Sequence, residues 1–270
     1  MTAPRAANPA RMRRGSFLAA LALVCAAAGP ARADDRGITV FAAASLREAF
    51  EAAAPAFAQR TGIAVRFSFG GSDALVTQLK QGAPADVFAS ANEAQMKIAA
   101  DAGLLAEPAR TFARNRLVLI VPRDDPAKIE GVAGLARSGV KVVLAAATVP
   151  VGGYARAAFR ELNGKSGFAA DFASVVERNV VSNELDVKAV ATKVSLGEGD
   201  AGVVYATDVT PALAPKLRVF PFPPGASPDA IYPIAALKAA PNAAGARAFV
   251  EFILSKDGQA FLRARGFIAT

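Results

Sequence analysis

Short apolar runs of strand length alternate along this chain with longer alanine-rich stretches whose apolar residues recur at helical spacing, and few folds accommodate that order. The strand-length runs fall at 38–42, 63–67, 86–89, 117–121, 140–144, 178–181, 202–205, 218–221 and 232–236. The helical stretches fall at 45–60, 72–81, 93–102, 153–162, 184–196 and 243–255. Helices between successive strands carry the chain back so that neighbouring strands run the same way. The expectation is therefore an α/β protein built on mostly parallel sheets with helices on their faces.

Two interruptions divide the pattern. After the run at 117–121 come Pro122, Arg123, Asp124, Asp125 and Pro126, and a fresh strand–helix series begins, which marks a candidate crossing between lobes. A second break, Phe222-Pro223-Pro224-Gly225-Ala226-Ser227-Pro228, precedes one strand and two helices that finish the chain. If those last helices pack on the first lobe, the chain crosses twice and a hinge results. The apolar stretch 142–151 is too short for a membrane span and runs into Pro150 and the Gly152-Gly153 pair, as a buried strand entering a turn does.

Residues 1–33 read as an export signal. Arg11, Arg13 and Arg14 form a charged n-region, 17–28 is an apolar run too short to span a bilayer, and Ala31-Arg32-Ala33 supplies a small-residue cleavage site. The Arg13-Arg14 pair and Cys25 read as ordinary signal residues: Phe17 stands one residue too far away for a twin-arginine motif, and Val24 suits no lipid-attached cysteine. Cleavage removes Arg5, Arg11, Arg13, Arg14 and Arg32 and no acidic residue, so the formal charge falls from +8 to +3. With no block of like charge and no basic run interleaved with aromatics, nucleic acid is not an expected partner.

The chain contains no histidine, and its one cysteine is Cys25 in the signal. The mature protein then lacks disulfides, thiol nucleophiles, imidazole acid–base catalysis and His/Cys metal ligation. Hydroxyls, carboxylates, amines and backbone groups remain.

Four strand-to-helix junctions use such groups in one design, in which small residues precede a helix whose first N–H groups lack intrahelical partners. Such a helix start attracts anions through those donors and the positive end of the helix dipole. The junctions are Phe41-Ala42-Ala43-Ala44-Ser45-Leu46, Ser68-Phe69-Gly70-Gly71-Ser72-Asp73, Val149-Pro150-Val151-Gly152-Gly153-Tyr154 and Ser182-Asn183-Glu184-Leu185-Asp186-Val187-Lys188. Taken singly, Ser45 and Ser72 also read as helix-capping serines, and the third junction as a tight turn.

Together these segments resemble the molybdate-binding proteins of ABC transporters, a branch of the periplasmic solute-binding family. The likeness includes Ile38-Thr39-Val40-Phe41-Ala42-Ala43-Ala44-Ser45-Leu46, Gly82-Ala83-Pro84-Ala85-Asp86-Val87-Phe88-Ala89-Ser90-Ala91, Gly202-Val203-Val204-Tyr205-Ala206-Thr207-Asp208, Tyr232-Pro233 and Arg265-Gly266-Phe267. The resemblance implies a two-lobed periplasmic-binding-protein fold of type II, with lobe I over 34–117 and 233–270 and lobe II over 118–232. It further implies a monomer without cofactor, located in the periplasm. Such a protein captures molybdate or tungstate between its lobes and delivers it to a membrane permease with its ATPase. Carried over by position, Ser45 and Ser72 donate from one lobe through hydroxyl and N–H. From the other come the N–H groups of Val151 and Val187 and the hydroxyl of Tyr205. The metal arrives as its oxyanion and is held by hydrogen bonds, without direct coordination. Two positions depart from the family's habit: alanine is frequent where Val151 stands, and serines where Gly70 and Gly71 stand.

Neutral donors without an acceptor carboxylate favour a fully deprotonated anion. A phosphate that retains a proton would leave that proton unpaired in a closed site, at about 1–3 kcal/mol. Sulfate must be rejected by size, and tungstate is close to molybdate in size. The rival solutes are tungstate alone, sulfate or an organic anion. Iron finds only Tyr154, Tyr205 and Tyr232 as phenolate ligands. A serine hydrolase is the rival from another class, since Gly70-Gly71-Ser72-Asp73-Ala74 loosely resembles a nucleophile elbow; it lacks the final glycine and any histidine base. The spacing Gly197-Glu198-Gly199-Asp200-Ala201-Gly202 leads from a helix into a strand, the reverse of a pyrophosphate cradle. Asp73, Asp186 and Asp208 lie near the junctions and read as helix or turn caps on a solvated face.

Overall fold

In the computed structural model, which describes residues 37–227 and 229–270, the alternation resolves into two sheets. The expected export segment lies outside the described residues. The first sheet holds β1 (Gly37–Ala43), β2 (Ala64–Gly70), β3 (Val87–Ala89), β4 (Arg110–Asn115), β10 (Ala230–Ala236) and β11 (Ile268–Ala269), in the order β11-β4-β10-β3-β1-β2. The second holds β5 (Leu117–Pro122), β6 (Val142–Ala145), β7 (Val180–Glu184), β8 (Ala201–Tyr205) and β9 (Leu217–Pro221), in the order β7-β6-β8-β5-β9.

Both sheets are mixed, where mostly parallel sheets were expected. Parallel pairing is confined to β1 with β2 and β3, and to β6 with β7 and β8. These are the strands linked through helices. β5 and β10, which enter their sheets from the other half of the molecule, pair antiparallel with both neighbours. The α/β class and two-lobed architecture hold.

The chain changes sheets at Arg116, between β4 and β5, and not at the 122–126 break, which is the turn after β5. The reason is β4, a strand the pattern does not reveal: Arg-Thr-Phe-Ala-Arg-Asn buries only Phe112, Ala113 and Asn115. Leu117 thus lies with the second sheet, and Ala230, Ile231 and Tyr232, at the start of β10, with the first. The return passage falls between β9 and β10, in the proline-rich break.

Helices α1 (Arg47–Thr61), α2 (Ser72–Lys80), α3 (Glu93–Asp101), α7 (Ala243–Leu254) and α8 (Lys256–Ala264) flank the first sheet; α4 (Pro150–Leu162), α5 (Phe172–Arg178) and α6 (Val187–Ser195) belong to the second. Phe249 of α7 meets Phe50 and Phe57 of α1 edge-on at 5.6 and 5.3 Å between ring centroids, fixing two helices over one sheet. The acid of the Ala85-Asp86-Val87 segment is structural. The buried Asp86 carboxylate accepts the N–H groups of Thr39 and Asn242, each at 2.7 Å, and so ties β1 to the start of α7. The glycine-spaced loop 197–202 descends from α6 into β8, as its sequence context required.

Candidate functional site

The C-terminal ends of β1, β2 and β3 gather at one edge of the first sheet, and those of β6, β7 and β8 at one edge of the second, because each trio is parallel. Open α/β sheets bind ligands beyond such ends. Here they surround a small pocket of about 10 Å³, and Ser45, Ser72, Val151, Val187 and Tyr205 all line it. That volume is below the ~300–1,000 Å³ of a drug-sized ligand site.

Neither serine caps a helix. Ser45 sits within the single 3-10 turn Ala44–Leu46 that leads into α1, and its Oγ lies 3.0 Å from the Tyr232 hydroxyl. Ser72 is the first residue of α2, with Gly71 in the cap position, and its Oγ accepts the Ala91 N–H at 3.1 Å. The serine-cap alternative therefore fails at both positions. With an acceptor site on Ser72 already filled, its proton is left to point elsewhere.

Helix α4 begins at Pro150, earlier than the expected 153, since proline has no N–H to lose at a first helical position. Val151 and Gly152 thus fall in the first turn. Gly152 tolerates no side chain, because a Cβ there would stand 2.2 Å from the Ala146 carbonyl oxygen. Helix α6 begins at Val187 rather than 184, since β7 runs on through Glu184; Asp186 caps the helix by accepting the Ala189 N–H at 3.0 Å. First-turn N–H groups have no intrahelical partner, and those of Ser72, Val151 and Val187 find no acceptor among the described residues. Tyr205 ends β8, wholly buried, and its hydroxyl has no hydrogen-bond partner among the described residues.

Among the described residues no lysine or arginine lines the pocket, and the one acid there, Asp186, accepts the Ala189 N–H through Oδ1 as the helix cap. Burial raises the Tyr205 and Tyr232 phenols well above the usual range, so both remain donors through neutral pH. Behind Tyr205, Asp208 caps the following turn by accepting the Tyr205 N–H at 3.2 Å. It does so fully buried, not on a solvated face as expected. Burial pushes its carboxyl up to about 6, although Lys188, 3.1 Å away, pulls it down. Lys188 is itself raised: burial opposes its charge, but Asp208 and Glu48 outweigh that.

Several contacts join elements of one sheet to elements of the other. Lys188 of α6 reaches Glu48 of α1 at 2.8 Å. Thr148, ahead of α4, donates its hydroxyl to Asp73 of α2 at 2.7 Å, so Asp73 bridges the halves and is no simple cap. Gln95 of α3 donates to the Thr148 carbonyl at 3.0 Å. Gly71 approaches the Leu185 carbonyl so closely that a Cβ would stand 2.5 Å from its oxygen.

Sequence reasoning missed Asn115, Thr148, Gln95, Lys188 and Glu48, which carry no signature of their own. Tyr232 belonged to a quoted motif and was otherwise weighed only as a phenolate ligand for iron. A larger depression, about 840 Å³, beside Lys128, Gly131, Arg137, Phe168 and Phe222, is a surface groove away from the helix starts.

Residues 38–268 match the sequence model of the bacterial extracellular solute-binding proteins. The chain belongs to that family. This solute-binding protein is 41% identical over 241 residues to the molybdate-binding protein ModA of Mycobacterium tuberculosis, an alignment spanning 89% of this chain and 87% of the relative. It shares its fold with the periplasmic molybdate-binding protein of Azotobacter vinelandii, with a TM-score of 0.72 and 21% identity over 86% of this chain and 99% of the other. It shares it equally with the sulfate-binding protein SubI of M. tuberculosis, at a TM-score of 0.75 and 19% identity over 86% of both chains. Fold alone therefore does not choose the solute of a solute-binding protein; the pocket does.

Proposed function

We propose that this chain is the periplasmic, monomeric solute-binding component of an ABC importer, exported by a cleaved N-terminal signal. It captures molybdate, and tungstate comparably, between its lobes and presents the closed form to a membrane permease and its ATPase. The protein needs no cofactor for this. The metal is cargo, enclosed as its oxyanion. Ser45 and Ser72 donate from the first lobe through hydroxyl and N–H; Val151 and Val187 donate main-chain N–H groups, and Tyr205 its hydroxyl, from the second.

One observation carries the reading: a small pocket in which hydroxyls and helix-start N–H groups from both sheets converge, with no cation among its lining residues. Helix starts supply the positive potential, while neutral donors supply hydrogen bonds that a tetrahedral dianion accepts on every side. The name of the M. tuberculosis relative supports the choice of anion. Closure completes the donor shell only around a ligand, so the ligand selects the closed form by its extra contacts there.

Thermal melts in the presence of molybdate, tungstate, sulfate and phosphate at equal concentration test the assignment. Molybdate and tungstate should raise the melting temperature, and sulfate and phosphate should do little, as linkage requires of a ligand bound only by the folded state. A larger shift with sulfate than with molybdate overturns the choice of anion.

A further inference from the structure

The Ser45 hydroxyl is not an isolated donor. It ends a buried chain of polar groups that begins at the passage between the sheets. Asn115 closes β4 one residue before the chain changes sheets, and its Oδ1 accepts the N–H of Arg116 at 2.9 Å. That bond settles which way the amide faces, and leaves Nδ2 with two hydrogens to give. One goes to Thr207 Oγ1 at 2.8 Å, and the other is directed at the Tyr232 hydroxyl at 3.5 Å. Tyr232 is held in place by edge-on packing against Phe112, Tyr205 and Phe267, at 6.3, 5.6 and 5.4 Å between centroids. Its hydroxyl lies 3.0 Å from Ser45 Oγ, where either group can donate, and the hydrogen offered by Asn115 favours the arrangement in which the phenol gives its own proton to Ser45. The serine oxygen is then an acceptor already in use, and its single proton has the pocket left to face.

We infer that Asn115 and Tyr232 are specificity-determining positioning residues, which fix Ser45 as an obligate donor and so exclude oxyanions that still carry a proton. The Ala91 N–H does the same for Ser72 by a shorter route. A bare dianion accepts from both hydroxyls. A hydrogen phosphate must turn its own O–H toward a group that can accept; each serine has one of its two lone pairs filled from behind and its proton aimed into the pocket, so it meets that O–H as a donor. Neither Asn115 nor Tyr232 lines the pocket, so each acts through Ser45 and not by contact with the solute.

The inference rests on the oxyanion reading above, and its test separates the two. The isosteric change Asn115→Asp replaces the donating amide nitrogen by an accepting oxygen. Tyr232 then donates backwards, and Ser45 becomes free to donate to Tyr232 and to accept from the pocket. Tyr232→Phe breaks the chain at its middle. Calorimetric titrations at pH 8 with molybdate, sulfate and phosphate compare anions of equal charge, of which only hydrogen phosphate holds a proton. A loss of packing, or an added buried charge, weakens all three anions together. The relay predicts instead that the preference for molybdate over phosphate, and for sulfate over phosphate, falls at least tenfold in both variants, while Ser45→Ala weakens molybdate without any gain for phosphate. An unchanged preference in Asn115→Asp, or a parallel loss across all three anions in every variant that remains folded, overturns the relay. A wild-type protein that prefers sulfate to molybdate overturns the solute assignment alone, because the sulfate-to-phosphate ratio still reports the relay.

Discussion

On the side of the pocket formed by the first sheet, the donors include side-chain hydroxyls, and each depends on a neighbour to aim it: Tyr232 for Ser45, and the Ala91 N–H for Ser72. On the side formed by the second sheet, Val151 and Val187 offer main-chain N–H groups whose direction is set by the helices that they open. The difference teaches where substitutions can act. Hydroxyl donors are lost with one atom, whereas a main-chain donor survives every replacement except proline. Valine at 151, where the family often has alanine, is for that reason compatible with the same role.

The largest expected effect tests what lies behind the second side. The carboxyl of Asp208 is raised to about 6 from an ordinary 3.8, so between those values the folded protein binds a proton that the unfolded chain has released. Stability attributable to this group is therefore greatest at low pH and falls as pH rises through that window, by about 3 kcal/mol. Asp208→Asn abolishes the fall. Denaturant melts of both proteins from pH 4 to pH 7 should show wild type losing ground to the variant, and parallel curves would contradict the burial argument. Next comes Val187→Pro. Val187 is a first helical position preceded by an extended Asp186, with φ −158° and ψ 172°, so proline fits and only the N–H is removed. Molybdate affinity should drop by about 1.5–3 kcal/mol, as for a hydrogen bond to a charged group, with helix content by circular dichroism unchanged. Val187→Ala, which keeps the N–H, should shift affinity by well under the tenfold that about 1.4 kcal/mol represents. Equal losses in the two variants would erase the distinction between the sides. For Ser72→Ala and Ser45→Ala the expected loss is about 1–3 kcal/mol in calorimetric affinity, without unfolding. Unchanged affinity in both would take the serines out of the site.

Much of this arrangement was legible in the residues because the helix starts announce themselves locally. Small residues, a hydroxyl and then an amphipathic run suffice to place Ser45 and Ser72 near helix beginnings, whereas Val151 and Val187 took their role from the family resemblance, with their helix starts expected three residues away; the structure brings all four with Tyr205 around one pocket. What stayed hidden depends on contacts far apart in sequence. The strand β4 turns charged side chains outward and lacks a clean apolar rhythm, so the break read from the pattern fell one strand late, while the lobe bound implied by the resemblance, at 117, fell one residue late. Asn115, at its end, looks like any polar residue until Thr207 and Tyr232 arrive beside it. The Lys188–Glu48 pair joins residues 140 positions apart, and no local pattern anticipates such a meeting. The antiparallel strands β5 and β10 were found as strands, but their direction is set by the changes of sheet, which the hydrophobic period does not record.

At Gly71 the two halves come together as bare backbone, since a single methyl group would collide with the Leu185 oxygen. With no side chain at 71, the approach of the halves at this point is limited by main-chain atoms alone. For the solute proposed above, selection by size would then be set by the distance of closest approach of two peptide groups beside the pocket, and not by the length of any side chain.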